Sequence, residues 1–144
     1  MPLPVQKFRE IVFQILYSQG FSTSDAEETI LMLMKELKVT RRSVSQAQEK
    51  AKQIQAKMEE IDPKIQGASK EYSFDRISRV EKTVLRLGLY EMLYDSLIPP
   101  KVAIAEAIRL TRKFGTPESA HFVNAILDKI YQHGLTETEK TPPQ

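Results

Sequence analysis

The sequence predicts an all-α protein, a compact helical domain of about six or seven helices. Apolar residues recur at steps of three and four along nearly the whole chain, the period of an amphipathic helix. No stretch alternates polar and apolar residues over five or six positions, and no Asn-Gly or Asp-Gly pair marks a hairpin. The 144 residues, 41% hydrophobic and 28% charged, can build one ordinary packed core and are too few for two independent domains.

Residues Pro4 to Gln19 place Val5, Phe8, Val12, Ile15 and Leu16 on one helical face, and Gly20 ends that helix. Ser24 and Glu27 have the spacing of a capping box, with Ile30, Leu31, Met34 and Leu37 on the helix that follows. Val44, Ala47, Ala51, Ile54, Met58, Ile61 and Ile65 form the most regular stripe, which reads as one long helix close to a neighbour. Asp62-Pro63 has the form of a cap followed by proline at the first helical position, so a turn is expected there. Gly67 to Ser73 reads as a connection that divides two helical halves.

The stretch RVEKTVLRLGLYEMLY, from Arg79 to Tyr94, is apolar over more than half its circumference and so reads as a central helix. Gly88 inside it implies a close helix crossing, because glycine there costs about 1 kcal/mol relative to alanine. Pro99 and Pro100 break the chain. Val102 to Phe114 then carries Ala103, Ala107, Leu110 and Phe114 on one stripe, and Gly115 stops it. Thr116-Pro117 opens a last helix with Phe122, Val123, Ile126, Leu127 and Ile130. The domain is expected over 1–134, with 135–144 a flexible polar tail.

Several function classes are disfavoured. There is no cysteine, hence no thiolate site or disulfide, and no glycine-rich phosphate loop. His121 and His133 are twelve apart and lack a short metal-ligand spacing, so neither a metal nor another cofactor is expected. The carboxylate pairs Glu59–Glu60 and Glu137–Glu139 lie in polar runs that offer no apolar pocket for acid–base work. Asn124, in an apolar segment, reads equally as a buried structural partner or as a ligand contact. The longest apolar run, Ile30 to Met34, is far short of a membrane span, and MPLPVQKF is no secretory leader. The expectation is a non-enzymatic, soluble cytoplasmic protein.

The net charge of +2 hides local excesses. Seven basic and two acidic residues lie between Lys35 and Lys57, and four basic residues oppose Glu106 between Lys101 and Phe114. Such faces either contact phosphates or simply stay solvated. On the first helix Arg9, Phe13 and Tyr17 are spaced by four, with Lys7 nearby. Two readings stand for that ridge: an RNA-stacking surface beside cations, or part of a broad buried face.

Three blocks carry a resemblance: RVEKTVLRLGLYEM from Arg79, IPPKVAIAEAIRLTRKFG from Ile98 and SAHFVNAILDKI from Ser119. In that order they are similar to the NusB family of transcription antitermination factors, and KFREIVFQILYSQG resembles the family's start. The likeness spans about residues 5–133 and is carried only by helical pattern between Ala26 and Ser69. It implies an all-helical fold of two small bundles without catalytic activity. It also implies binding to boxA RNA of ribosomal RNA transcripts, together with the ribosomal protein NusE, in an antitermination complex on RNA polymerase. By the resemblance, Lys7 and Arg9 match basic positions of the family's first-helix RNA motif, whereas Val5 and Gln6 stand where arginine is common. Tyr17 matches a first-helix tyrosine, and Glu81, Lys82, Arg86 and Phe122 fall on the RNA-facing stretches. Lys82 and Arg86 are assigned to phosphates and Glu81 to a base amino group. The competing class is a helical protein–protein adaptor without specific RNA binding. A homodimer through the amphipathic first helix is a further possibility.

Overall fold

The computed structural model describes residues 3–18 and 26–134. The expected stop at Gly20, the Ser24 half of the capping box and the tail at 135–144 lie outside them. Seven α-helices and one short 3-10 turn, with no strand, make up the described residues. The chain divides into two compact units, Met1–Ala56 and Lys57–Gln144. The boundary thus falls between Ala56 and Lys57, not at Gly67 to Ser73.

The first unit contains α1 (Val5–Ser18), α2 (Ala26–Leu37) and α3 (Arg41–Ala56), with α3 packed against both others. Val44, Ala47, Ala51 and Ile54 of α3 are all 0% exposed, as their spacing predicts. On α1, Val12 and Ile15 are buried as expected, whereas Val5 is 69% exposed and Ile11 and Phe13 are buried as well. On α2 the buried residues are Ile30 and Leu33, and Leu31 is 51% exposed. Leu31 stands about 100° round the helix from Ile30, whereas Leu33 returns to the same side. Arg41 ties the start of α3 to α2 through two hydrogen bonds to the Glu27 carboxylate, at 2.9 and 2.7 Å. That hydrogen bond, and then the carboxylate's charge, hold the Arg41 guanidinium above its ordinary pKa.

The apparent long helix of the third segment is two helices. The break falls at Lys57, whose carbonyl accepts from the Glu60 and Ile61 amides and starts α4 (Met58–Ala68). Pro63 lies inside α4 and not at its start. Its missing N–H would have met the carbonyl of Glu59, a residue on the exposed side where water can replace the bond. Ile61 and Ile65 continue the buried stripe in the second unit, and Met58 is only half-buried.

The second unit is organised round α5 (Arg79–Tyr94), which packs against α4, α6 (Pro100–Phe114) and α7 (Pro117–Gly134). Its length and central position are those read from the sequence. Val84, Leu85, Leu87, Leu89 and Met92 are at most 1% exposed. Gly88 is the point of close approach. A Cβ there would lie 3.3 Å from the Cβ of Ala107 on α6 and 3.3 Å from Cδ1 of Leu127 on α7. The start of α6 is Pro100, earlier than Val102, because Pro99 in extended geometry caps it. Thr116 Oγ1 accepts from the Ser119 amide at 3.0 Å, which opens α7 as expected. No described helix is long and apolar enough to cross a membrane.

Candidate nucleic-acid interface

In the first unit the helical period of α1 decides which residues reach the surface. Phe13 is 2% exposed, so the buried-face reading holds for it. Its ring stacks on Tyr17, with centroids 5.8 Å apart and planes at 21°. Tyr17 and Lys7 are half-buried and keep part of their side chains accessible. Arg9 is only 5% exposed. The ridge of Arg9, Phe13 and Tyr17 is therefore not an open stacking surface. The apolar arc of α1 is broad enough to take Arg9 and Phe13 inside, which leaves Tyr17 at its margin.

In the second unit Lys82 and Arg86 are four apart on α5 and so share one face. Both stand over the ring of Phe74, Lys82 Nζ at 4.5 Å and Arg86 Cζ at 5.4 Å from its centroid. Phe74 belongs to a 3-10 turn, and its amide donates to Gln66 Oε1 of α4 at 2.7 Å. Arg86 is also held from below: Nε and Nη2 donate to the two carboxylate oxygens of Asp62, each at 2.9 Å. A bidentate pair of this kind fixes the guanidinium plane. Nη1 is outside that pair.

Glu81 has a structural task. It is the third residue of α5, its Oε1 accepts from the Ser78 amide at 3.1 Å, and Ser78 Oγ accepts from the Glu81 amide at 3.2 Å. This reciprocal capping box leaves Oε2 for any base contact. Phe122 of α7 is half-buried and meets Tyr72 edge to face, with centroids 5.9 Å apart at 81°. Tyr72 is 48% exposed. Sequence reasoning missed Tyr72, Phe74 and Asp62. Tyr72 and Phe74 alternate within EYSFDR, a pattern legible as paired aromatics; the stretch read as a connection, Gly67 to Ser73, takes in Tyr72 and stops short of Phe74.

The basic faces are less free than the counts suggest. Arg41 pairs with Glu27, Lys57 with Glu60 at 3.4 Å, and Arg109 with Glu106 at 2.9 Å. Asn124 and His121 are exposed, which removes the buried-partner reading of Asn124. Among the described residues no three or more His, Cys, Asp or Glu side chains form a group that would hold a metal ion. What the described residues present is cations laid on aromatic rings beside a second aromatic pair, on a helical scaffold. Chemically, such a surface can contact phosphates and stack on unpaired bases.

These features define the class as an all-α protein of two helical units. The NusB family model matches residues 6–132, and the chain belongs to the NusB family. The transcription antitermination protein NusB of Chlamydia pneumoniae is 41% identical over 128 residues, 89% of this chain and 80% of that one. That of Geobacter sulfurreducens is 37% identical over 123 residues, 85% of this chain and 89% of that one. Among solved structures, T. maritima NusB superposes with a TM-score of 0.80 at 29% identity, over 96% of this chain and 98% of that one. A chain from the crystal structure of antitermination factors NusB and NusE in complex with dsRNA gives 0.71 at 25% identity, covering 88% and 95%.

Proposed function

We propose that this chain is a non-catalytic, cytoplasmic antitermination factor that binds boxA RNA of ribosomal RNA transcripts together with the ribosomal protein NusE. The observation that carries this reading is the Lys82–Arg86–Phe74 group, within a chain whose structural relatives include NusB bound to NusE and RNA. In it, Lys82 and Arg86 contact phosphates, Phe122 supports stacking, and Glu81 Oε2 accepts from a base amino group. Lys7 and Tyr17 are the first-helix contacts. Arg9, at 5% exposure, supports that helix and has little surface to offer a phosphate. Each component binds weakly alone, and coupling between RNA and NusE binding supplies the useful affinity before delivery to the polymerase complex.

The test is a titration of labelled boxA RNA with and without NusE at physiological salt. Partner-enhanced binding is expected, and its absence sinks the proposal. The adaptor reading draws on exposed apolar side chains, Leu97 at 85% and Val102 at 45%. Salt separates the two. Binding through several phosphates weakens steeply as salt rises, whereas an apolar protein interface does not. Sedimentation with and without RNA shows whether a homodimer competes for the same surface.

A further inference from the structure

A second cationic feature lies between the end of α4 and α7, among lysines not assigned above. The C-terminal end of α4 and the last turns of α7 enclose a cleft of about 350 Å³. Lys64, Lys70, Lys129 and His133 line it, with Ile130 as an apolar floor, and no Asp or Glu is among its lining residues. Lys129 Nζ donates to the Ala68 carbonyl at 3.3 Å, which accounts for that lysine as a cap on α4. The side chains of Lys64, Lys70 and His133 make no ion pair or hydrogen bond with any described residue. Converging lysines with no carboxylate among the lining residues repel one another, and an anion between them relieves that repulsion.

The cleft is continuous with the aromatic pair. Phe122, Lys129 and His133 follow at steps of seven and four, so they share one stripe of α7. Ala68 lies against Lys129 and Tyr72 against Phe122, so the 68–72 segment runs beside that stripe and carries Lys70 between the two contacts. Lys129 stands about 10 Å along the helix from Phe122. We infer that this cleft is a phosphate site for an RNA strand that continues past Phe122 along α7. The inference rests on the RNA-binding reading proposed above. It extends the contact from one aromatic–cationic group to a track.

The test uses the full chain with NusE, isotope-labelled for NMR, and compares boxA RNA with the same RNA carrying oligouridine extensions. Inorganic pyrophosphate serves as the small-anion probe. The extension is expected to tighten binding roughly three- to tenfold and to steepen the salt slope by about 0.7 per added phosphate contact. The Lys64→Gln/Lys70→Gln variant is expected to lose that gain while binding the unextended RNA as before. Signals of Lys129 and His133 should move with the extended RNA only. An extension without effect, or a gain that survives in the double variant, overturns the inference. So does movement with pyrophosphate but not with extended RNA, which marks a small-anion site. If unextended boxA RNA fails to bind even with NusE, the functional reading falls by itself. The cleft is then judged on oligouridine: Lys129 and His133 shifts abolished by the double variant support it, and their absence overturns it.

Discussion

Gly88 of α5 faces Ala107 of α6 so closely that a Cβ on Gly88 would sit 3.3 Å from the alanine's own Cβ. Leu127 Cδ1 of α7 closes the same point from the other side, also at 3.3 Å. Three of the second unit's four helices thus converge on one missing side chain. Two opposing effects decide what a substitution does. Alanine gains about 1 kcal/mol of helix propensity, while the tight contacts demand a shift of a few tenths of an ångström. Leu127 can rotate and Ala107 cannot. Gly88→Ala is therefore expected to change unfolding free energy by less than about 1 kcal/mol. Gly88→Val, whose extra methyls have no such outlet, should lose about 2–3 kcal/mol. Chemical denaturation of the two variants measures both; a Val variant as stable as the Ala one refutes the close crossing.

Ser78 and Glu81 separate a structural role from a binding role. Ser78→Ala removes one half of the capping box and should cost about 1 kcal/mol of stability. Glu81→Gln keeps an acceptor at the same place, since glutamine also completes the box. Its melting temperature should stay near the parent's. If Oε2 meets a base amino group, the same variant still lowers RNA affinity, because a neutral acceptor is weaker than a charged one. Thermal melts beside RNA titrations check both; unchanged affinity removes Glu81 from the interface.

Lys38 ends α2 in the left-handed region, with φ 56°, the one such non-glycine residue among those described. The Val39 amide donates back to the Met34 carbonyl at 3.3 Å, closing a glycine-type helix stop on a lysine. The Cβ of Lys38 makes this conformation costly, whereas glycine adopts it freely. Part of the relief is offset because glycine also loosens the unfolded chain. Lys38→Gly should stabilise by up to about 1 kcal/mol, read as a rise in denaturation midpoint at constant slope. A lower midpoint contradicts the strain.

The second unit was far more legible in the sequence than the first, and the reason is physical. Its central helix is apolar on several sides, so no error of phase could hide it, and Gly88 announced the crossing. The first unit depends on narrower faces. There Leu31 and Leu33 differ only by a rotation about the helix, and nothing local says which one is buried. Asp62-Pro63 misled because it has the chemistry of a helix start. The chain instead breaks at Lys57, and Asp62 is used by Arg86 of α5, 24 residues away. Long-range pairing of this kind leaves no periodic trace. Tyr72 and Phe74 were missed for the same reason, since their partners lie on α5 and α7.

Arg86 and Lys82 stand over one ring but are anchored differently, and that difference makes their roles separable. Arg86 is 23% exposed in its side chain and locked to Asp62 through Nε and Nη2, so only its remaining edge can meet a phosphate. Arg86→Lys keeps the charge and loses the fork geometry. It should cost about 1 kcal/mol of stability and weaken RNA binding at the same time. Lys82 rests on Phe74 through a cation–ring contact, worth about 0.5–1 kcal/mol at an exposed site. Lys82→Gln should therefore change stability by no more than that, while lowering the salt slope of RNA binding by about 0.7. Titrations at several salt concentrations, run beside thermal melts, measure all four quantities. An Arg86→Lys variant that melts earlier yet binds RNA as tightly as the parent makes Arg86 a support for Phe74 and nothing more, and Lys82 is then the phosphate contact of this pair.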